Sequence, residues 1–126
     1  MRNYSLEQHI IELLDSYREK LPASCRSWLA IAAAVDLSRN AIYDIINSEK
    51  DVRRDTVVLL GFALEMSMKD FLILYNYKGF IFRSGIARDE ITGEFFDNEK
   101  FDYEEWIERL LDSGEEPPFN YNKPIK

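Results

Sequence analysis

Between Ser38 and Asn47 the chain reads S-R-N-A-I-Y-D-I-I-N. Ile42, Ile45 and Ile46 recur there at helical spacing, so a Ser-capped helix that buries them turns Arg39, Asn40, Tyr43 and Asp44 outward. Those four side chains are hydrogen-bond donors and acceptors of the kind that can read base edges. The Ala-rich W-L-A-I-A-A-A-V precedes them, and only the tight turn Asp36-Leu37 separates the two runs. Two short helices joined in this way are the form in which a recognition helix is presented to the DNA major groove. As an isolated pattern, Arg39 and Asn40 would also serve as the solvated first turn of an ordinary helix.

The rest of the chain supplies elements to hold that pair. Leu6, Ile10, Leu13, Leu14, Tyr17 and Leu21 predict a first helix over about 5–20, capped by Ser5 and stopped by Pro22. A second helix is expected over about 27–35, with Ser24 or Ser27 as its cap, and a third over 38–47. The polar stretch 48–54 makes a loop. T-V-V-L-L-G-F-A-L-E then predicts a fourth helix, and its interior Gly61 points to close helix packing. Ser67 caps a fifth helix through about Tyr77, which Gly79 ends. After the connector 81–85, R-D-E-I-T-G-E-F-F-D predicts a sixth helix. A seventh, Y-E-E-W-I-E-R-L-L, opens on a capping-box pattern of Asp102 with Glu105. Phe95, Phe96, Phe101, Tyr103 and Trp106 are expected to form the core of this last pair, or else a protein-binding face. Glu104, Glu105 and Glu108 lie on its solvent side. Residues 113–126 read as an irregular tail. No strand is expected, and the fold class is all-α.

Taken in order, residues 5–80 resemble the Cro/C1-type helix-turn-helix family, also called the XRE family. Ala32 falls where that family prefers a small residue between its second and third helices. Leu37-Ser38 matches the apolar-then-cap pair that opens the recognition helix, and Asn47-Ser48 stands where the family commonly has Asn-Gly. A-L-E-M-S-M-K-D-F-L-I-L is similar to its last two helices. The resemblance implies a five-helix bundle over 5–80, followed here by an acidic two-helix extension over 81–112. It also implies sequence-specific binding of double-stranded operator DNA, often as a homodimer on a two-fold symmetric site, and transcriptional repression as the simplest mechanism. Under it Arg39, Asn40, Tyr43 and Asp44 face base edges: Arg forks onto guanine, Asn onto adenine, and Asp accepts from the cytosine amino group. Ser38, Lys50, Arg53 and Arg54 contact phosphates. The last three alternate with Glu49, Asp51 and Asp55, so local neutralisation is the competing role.

The chain departs from the family pattern at Asp36, where Gly is usual in the turn, and at Trp28, where Gln often contacts the DNA backbone. Its second helix is apolar all round, and such a helix is normally buried on every side. Leu29, Ala30 and Ala33 therefore need a cover: the C-terminal helices, a second subunit or a protein partner. An alternative function follows, a protein-binding module on the same scaffold (a phage-type inhibitor, antitoxin or adaptor), with Trp28, Leu29, Ala33 and Trp106 at its interface.

Composition bounds these readings. The chain has 126 residues and a net charge of −7, unusual for a polyanion binder. The charge is uneven: residues 1–80 carry 10 Lys/Arg against 11 Asp/Glu, and residues 81–126 carry 6 against 12. Its acidity thus belongs mainly to the last third. A single cysteine, Cys25, rules out an internal disulfide framework and fits a cytoplasmic protein. No apolar run approaches a membrane span. His9 and Cys25 each lack the partners that a metal site or a nucleophile needs, so neither metal nor cofactor is expected. With no Gly-rich phosphate loop, nucleophile elbow or zinc-hydrolase spacing, the expectation is a protein that is not an enzyme.

Overall fold

Asn3, Ser27, Ser38, Ser67 and Asp102 each place a side-chain oxygen against the backbone N–H groups that open the following helix. The resulting architecture, a computed structural model, describes residues 2–118. Among them it has seven α-helices, one short 3-10 turn and no strand. The helices are α1 (Tyr4–Arg18), α2 (Trp28–Ala34), α3 (Arg39–Ile46), α4 (Arg54–Ala63), α5 (Met68–Tyr77), α6 (Ala87–Asp97) and α7 (Tyr103–Asp112). The chain is all-α, as expected. None of these helices is long and apolar enough to cross a membrane. Residues 113–118 continue without a helix, and Phe119 and Tyr121 of the expected tail lie outside the described residues.

Several boundaries differ from the sequence reading for local reasons. Asn3, not Ser5, caps α1, because its side chain accepts the Leu6 N–H at 3.1 Å. Pro22 leads into a 3-10 turn at Ala23–Cys25, where only a helix stop was expected. The Arg26 guanidinium donates to the carbonyls of Leu21 and Glu19, satisfying backbone acceptors left over past the end of α1. At α7 the capping box is half made. Asp102 accepts from the N–H groups of Glu104 and Glu105, while the Glu105 carboxylate takes the Lys100 ammonium at 2.6 Å.

One apolar core runs through all seven helices. Phe62 of α4 sits against Phe96 (4.9 Å between ring centroids) and edge-on to Trp106 (5.3 Å), while Phe71 of α5 stacks on Phe96 at 4.1 Å. The C-terminal helices are thus bound to α4 and α5 by aromatic packing, whose ring–ring attraction adds to the stabilisation from the area these rings bury. Trp106 is completely buried, and its indole N–H donates to Thr92 Oγ1 at 3.0 Å. Its assignment to a protein interface is therefore corrected: a ring sealed by α4 and α6 cannot meet a partner.

Gly61 makes this packing close. A Cβ there would stand 2.6 Å from Phe71 Cδ1 and 2.8 Å from Phe96 Cζ. Both rings are buried and stacked, so neither can give way. Gly61→Ala gains about 1 kcal/mol of helix propensity but overpacks the core by about 1–3 kcal/mol. We expect a net loss of stability, read as a lower denaturant midpoint with an unchanged slope.

Candidate nucleic-acid interface

Helix α3 owes its orientation to its own apolar stripe. Ile42 and Ile45 are completely buried and Ile46 partly so, which leaves Arg39, Asn40 and Tyr43 exposed and Asp44 half-buried. Tyr43 is 46% exposed, with the Arg39 guanidinium 6.0 Å from its ring centroid. Ser38 caps the helix by accepting the Ala41 N–H. A hydroxyl that accepts can still donate its own proton.

The approach from α2 is a tight, hydrogen-bonded turn. Leu37 N–H donates to Ala32 O at 2.8 Å and Asp36 N–H to Ala33 O at 3.3 Å, the paired bonds of a Schellman motif. Asp36 takes the left-handed conformation this demands, at φ 58°, the place where the resemblance implies Gly. Its carboxylate is also held from outside the pair, since the Tyr103 hydroxyl of α7 donates to Asp36 Oδ2 at 2.9 Å. Burial first, and then this bond, pushes the Tyr103 phenol up to about 12. Ala32 is almost wholly buried, and α2 packs against α3 and α4.

The far end of α3 is clamped by residues the sequence reading passed over. Lys78 Nζ donates to the carbonyls of Asn47 (2.9 Å), Lys50 (2.6 Å) and Asp44 (3.3 Å), a cation at a helix C-terminus where the dipole favours one. Burial pushes that ammonium below its ordinary value. The Tyr77 hydroxyl donates to the Ile46 carbonyl. Glu7, buried in α1, accepts from Arg2 Nε at 2.6 Å, from Ser48 N–H at 2.9 Å and from Ser48 Oγ at 3.1 Å. The Asn3 N–H also reaches Ser48 Oγ at 2.9 Å. The α3–α4 loop is therefore tied to the N-terminus of the chain.

Glu7 corrects the expected stripe of α1, because Leu6 is 49% exposed and Glu7 is buried in its stead. The bond from Arg2, aided by those from Ser48, holds the Glu7 carboxyl below its ordinary 4.5. A carboxyl lowered on folding stabilises the fold above its unfolded pKa, and that contribution fades as pH falls through the folded value. Wild type should then be more thermostable than Glu7→Gln at neutral pH. The gap between their melting temperatures should close on acidification below about pH 4.

The other expected site residues are distributed as follows. Lys50 and Arg53 are exposed on the loop and at the start of α4. Arg54 is not: it is 29% exposed, turned towards Asp89 of α6 at 3.6 Å and laid over the Phe80 ring. In this arrangement Arg54 faces the α6 carboxylate and not open solvent, so a phosphate would have to displace Asp89 to reach it. Trp28 is half-buried with the Arg18 guanidinium over its ring at 4.2 Å. Leu29 is 63% exposed, and Ala33 is exposed as well. The C-terminal helices thus do not cover this face of α2, although Tyr103 comes as near as Asp36.

Among the described residues, no three His, Cys, Asp or Glu side chains gather into a group that could hold a metal. A cleft of about 400 Å³ lies between α1 and the turns after α4 and α6, lined by Tyr17, Lys20, Leu64, Glu65, Glu99 and Phe101. It shares no lining residue with the α3 face. The chain matches no protein-family model, no curated protein and no solved structure.

Proposed function

We propose that this chain is a non-catalytic DNA-binding regulator of the Cro/C1 type, acting as a cytoplasmic repressor that reads the major groove with α3. The observation that carries the reading is the outward face of α3. Arg39 and Asn40 stand exposed in its first turn, on a helix held by the Asp36 turn at one end and by Lys78, Tyr77 and Glu7 at the other. Preorganisation of this kind suits base readout, since a helix already fixed in place spends little backbone entropy on binding. In this reading Arg39 forks onto guanine, Asn40 pairs with adenine, and Tyr43 and Asp44 meet the neighbouring bases. Lys50, Arg53 and the Ser38 hydroxyl take phosphates. A homodimer on a two-fold site would double these contacts.

A second reading rests on Leu29 and Ala33. An apolar patch on α2 in an acidic chain also fits a module that binds a protein partner through α2. Salt separates the two. For a DNA binder, log affinity for a mixed-sequence duplex falls linearly with log salt, with a slope of about −0.9 per phosphate neutralised. Titration across a salt series tests this. Failure to retain the duplex even at low salt would remove the DNA reading in favour of the α2 interface.

A further inference from the structure

Helices α4 and α6 meet at their N-terminal ends through a crossed pair of charges. Asp55 takes Arg88 by two bonds, from Nε at 3.1 Å and from Nη2 at 2.7 Å, with both side chains mostly buried. Its neighbour Arg54 faces Asp89, the residue after Arg88, but on worse terms. Arg54 Nη1 stands 3.6 Å from Asp89 Oδ1, beyond hydrogen-bonding reach. Asp89 is 3% exposed, and its Oδ2 already accepts from the Arg83 N–H at 2.9 Å and from Arg83 Nε at 3.3 Å. Arg54 Nε is buried with no acceptor among the described residues.

A part-buried guanidinium whose facing carboxylate stands beyond hydrogen-bonding reach is poorly served, and a phosphate whose oxygens meet its Nη groups directly serves it better. The segment that carries the other proposed phosphate contacts, Lys50 and Arg53, leads directly into Arg54. Arg54 lies over Phe80, and two residues earlier Lys78 donates to the Lys50 carbonyl in the loop that carries Lys50 and Arg53. We propose that the α6 carboxylate Asp89 is an autoinhibitory contact, which holds Arg54 back from the DNA backbone until a phosphate exchanges for it. This rests on the DNA reading above and adds to it a role for the C-terminal extension. Asp89 lowers the affinity of the free protein for any duplex, whatever its sequence, because phosphate contacts carry no base information.

The test is Asp89→Asn, which keeps the acceptor for the Arg83 N–H and removes the charge that holds Arg54. Binding to a labelled mixed-sequence duplex is followed across a salt series. The variant should bind roughly five- to tenfold more tightly near 0.1 M salt, with a salt slope steeper by about 0.9. The gain should vanish when Asp89→Asn is added to Arg54→Gln. Asp97→Asn, the same charge change at an exposed position of α6, should leave the slope unchanged. In the wild-type protein, the NMR resonance of the Arg54 Nε–H should move on saturation with duplex, a readout that does not require the variant to fold.

A wild type that binds duplex, with an Asp89→Asn slope equal to its own or an unmoved Arg54 resonance, would overturn the autoinhibition alone. Equal gains from Asp89→Asn and Asp97→Asn would do the same, by reducing the effect to net charge. A wild type that binds no duplex at low salt would overturn the DNA reading and this inference together.

Discussion

Arg39→Glu is expected to weaken duplex binding by about a hundredfold while leaving the fold intact. A bidentate Arg–guanine contact is worth about 1–3 kcal/mol, and reversing the charge adds repulsion from the phosphates. The fold has no such stake in Arg39. Its side chain is exposed, and among the described residues it makes no hydrogen bond or ion pair, only a 6.0 Å approach to the Tyr43 ring. A carboxylate in the first turn of α3 even suits the helix dipole, so the melting temperature should hold or rise slightly. Fluorescence anisotropy with a labelled duplex and a thermal melt on the same sample separate the two effects. Unchanged affinity would remove α3 from the interface.

Trp106→Ala is expected to act in the opposite way, on folding. The indole is fully buried against Phe62, and its N–H is bonded to Thr92, whose own hydroxyl donates to the Arg88 carbonyl. Truncation empties the junction of α4, α6 and α7 and orphans part of that chain of bonds. Buried Trp→Ala changes cost about 3–5 kcal/mol, roughly 10–20 °C in melting temperature for a chain of this size. Trp106→Phe, which keeps most of the ring and loses the bond, should cost only about 1–2 kcal/mol. Equal losses from both substitutions would mean that the hydrogen bond, and not the packing, holds α7 in place. A wild-type melting temperature in Trp106→Ala would contradict the packed core.

The parts of this fold legible in the sequence are those set by near neighbours. Ser27, Ser38, Ser67 and Asp102 were readable as caps because a cap bonds to an N–H two or three residues away. Gly79 was readable as a helix stop and has φ 86°. Gly61 signalled a close contact without saying against what. The outward set of α3 followed from its isoleucines. What the periodicity did not reveal lies across the chain. Glu7 looks like a solvated residue until Arg2 and Ser48 are brought to it, and Tyr103 looks like a core aromatic until its hydroxyl finds Asp36.

The same limit explains Arg54 and Leu29. Arg54 follows Arg53 in a polar loop, and nothing local distinguishes a residue facing solvent from one turned to Asp89 on another helix. Leu29 sits in an apolar run that ordinarily means burial, yet α2 is only seven residues long and buries just Ile31 and Ala32 within it. A helix so short offers its neighbours one stripe, and Leu29 and Ala33 stay outside it.

The most direct measurement of the central claim is an in vitro selection of randomised duplex DNA against the purified protein at low salt, with Arg39→Ala/Asn40→Ala in parallel. The account predicts enrichment of one defined motif, two-fold symmetric if the protein binds as a dimer, and its loss in the double variant. Failure to enrich any motif from low to high salt would contradict it.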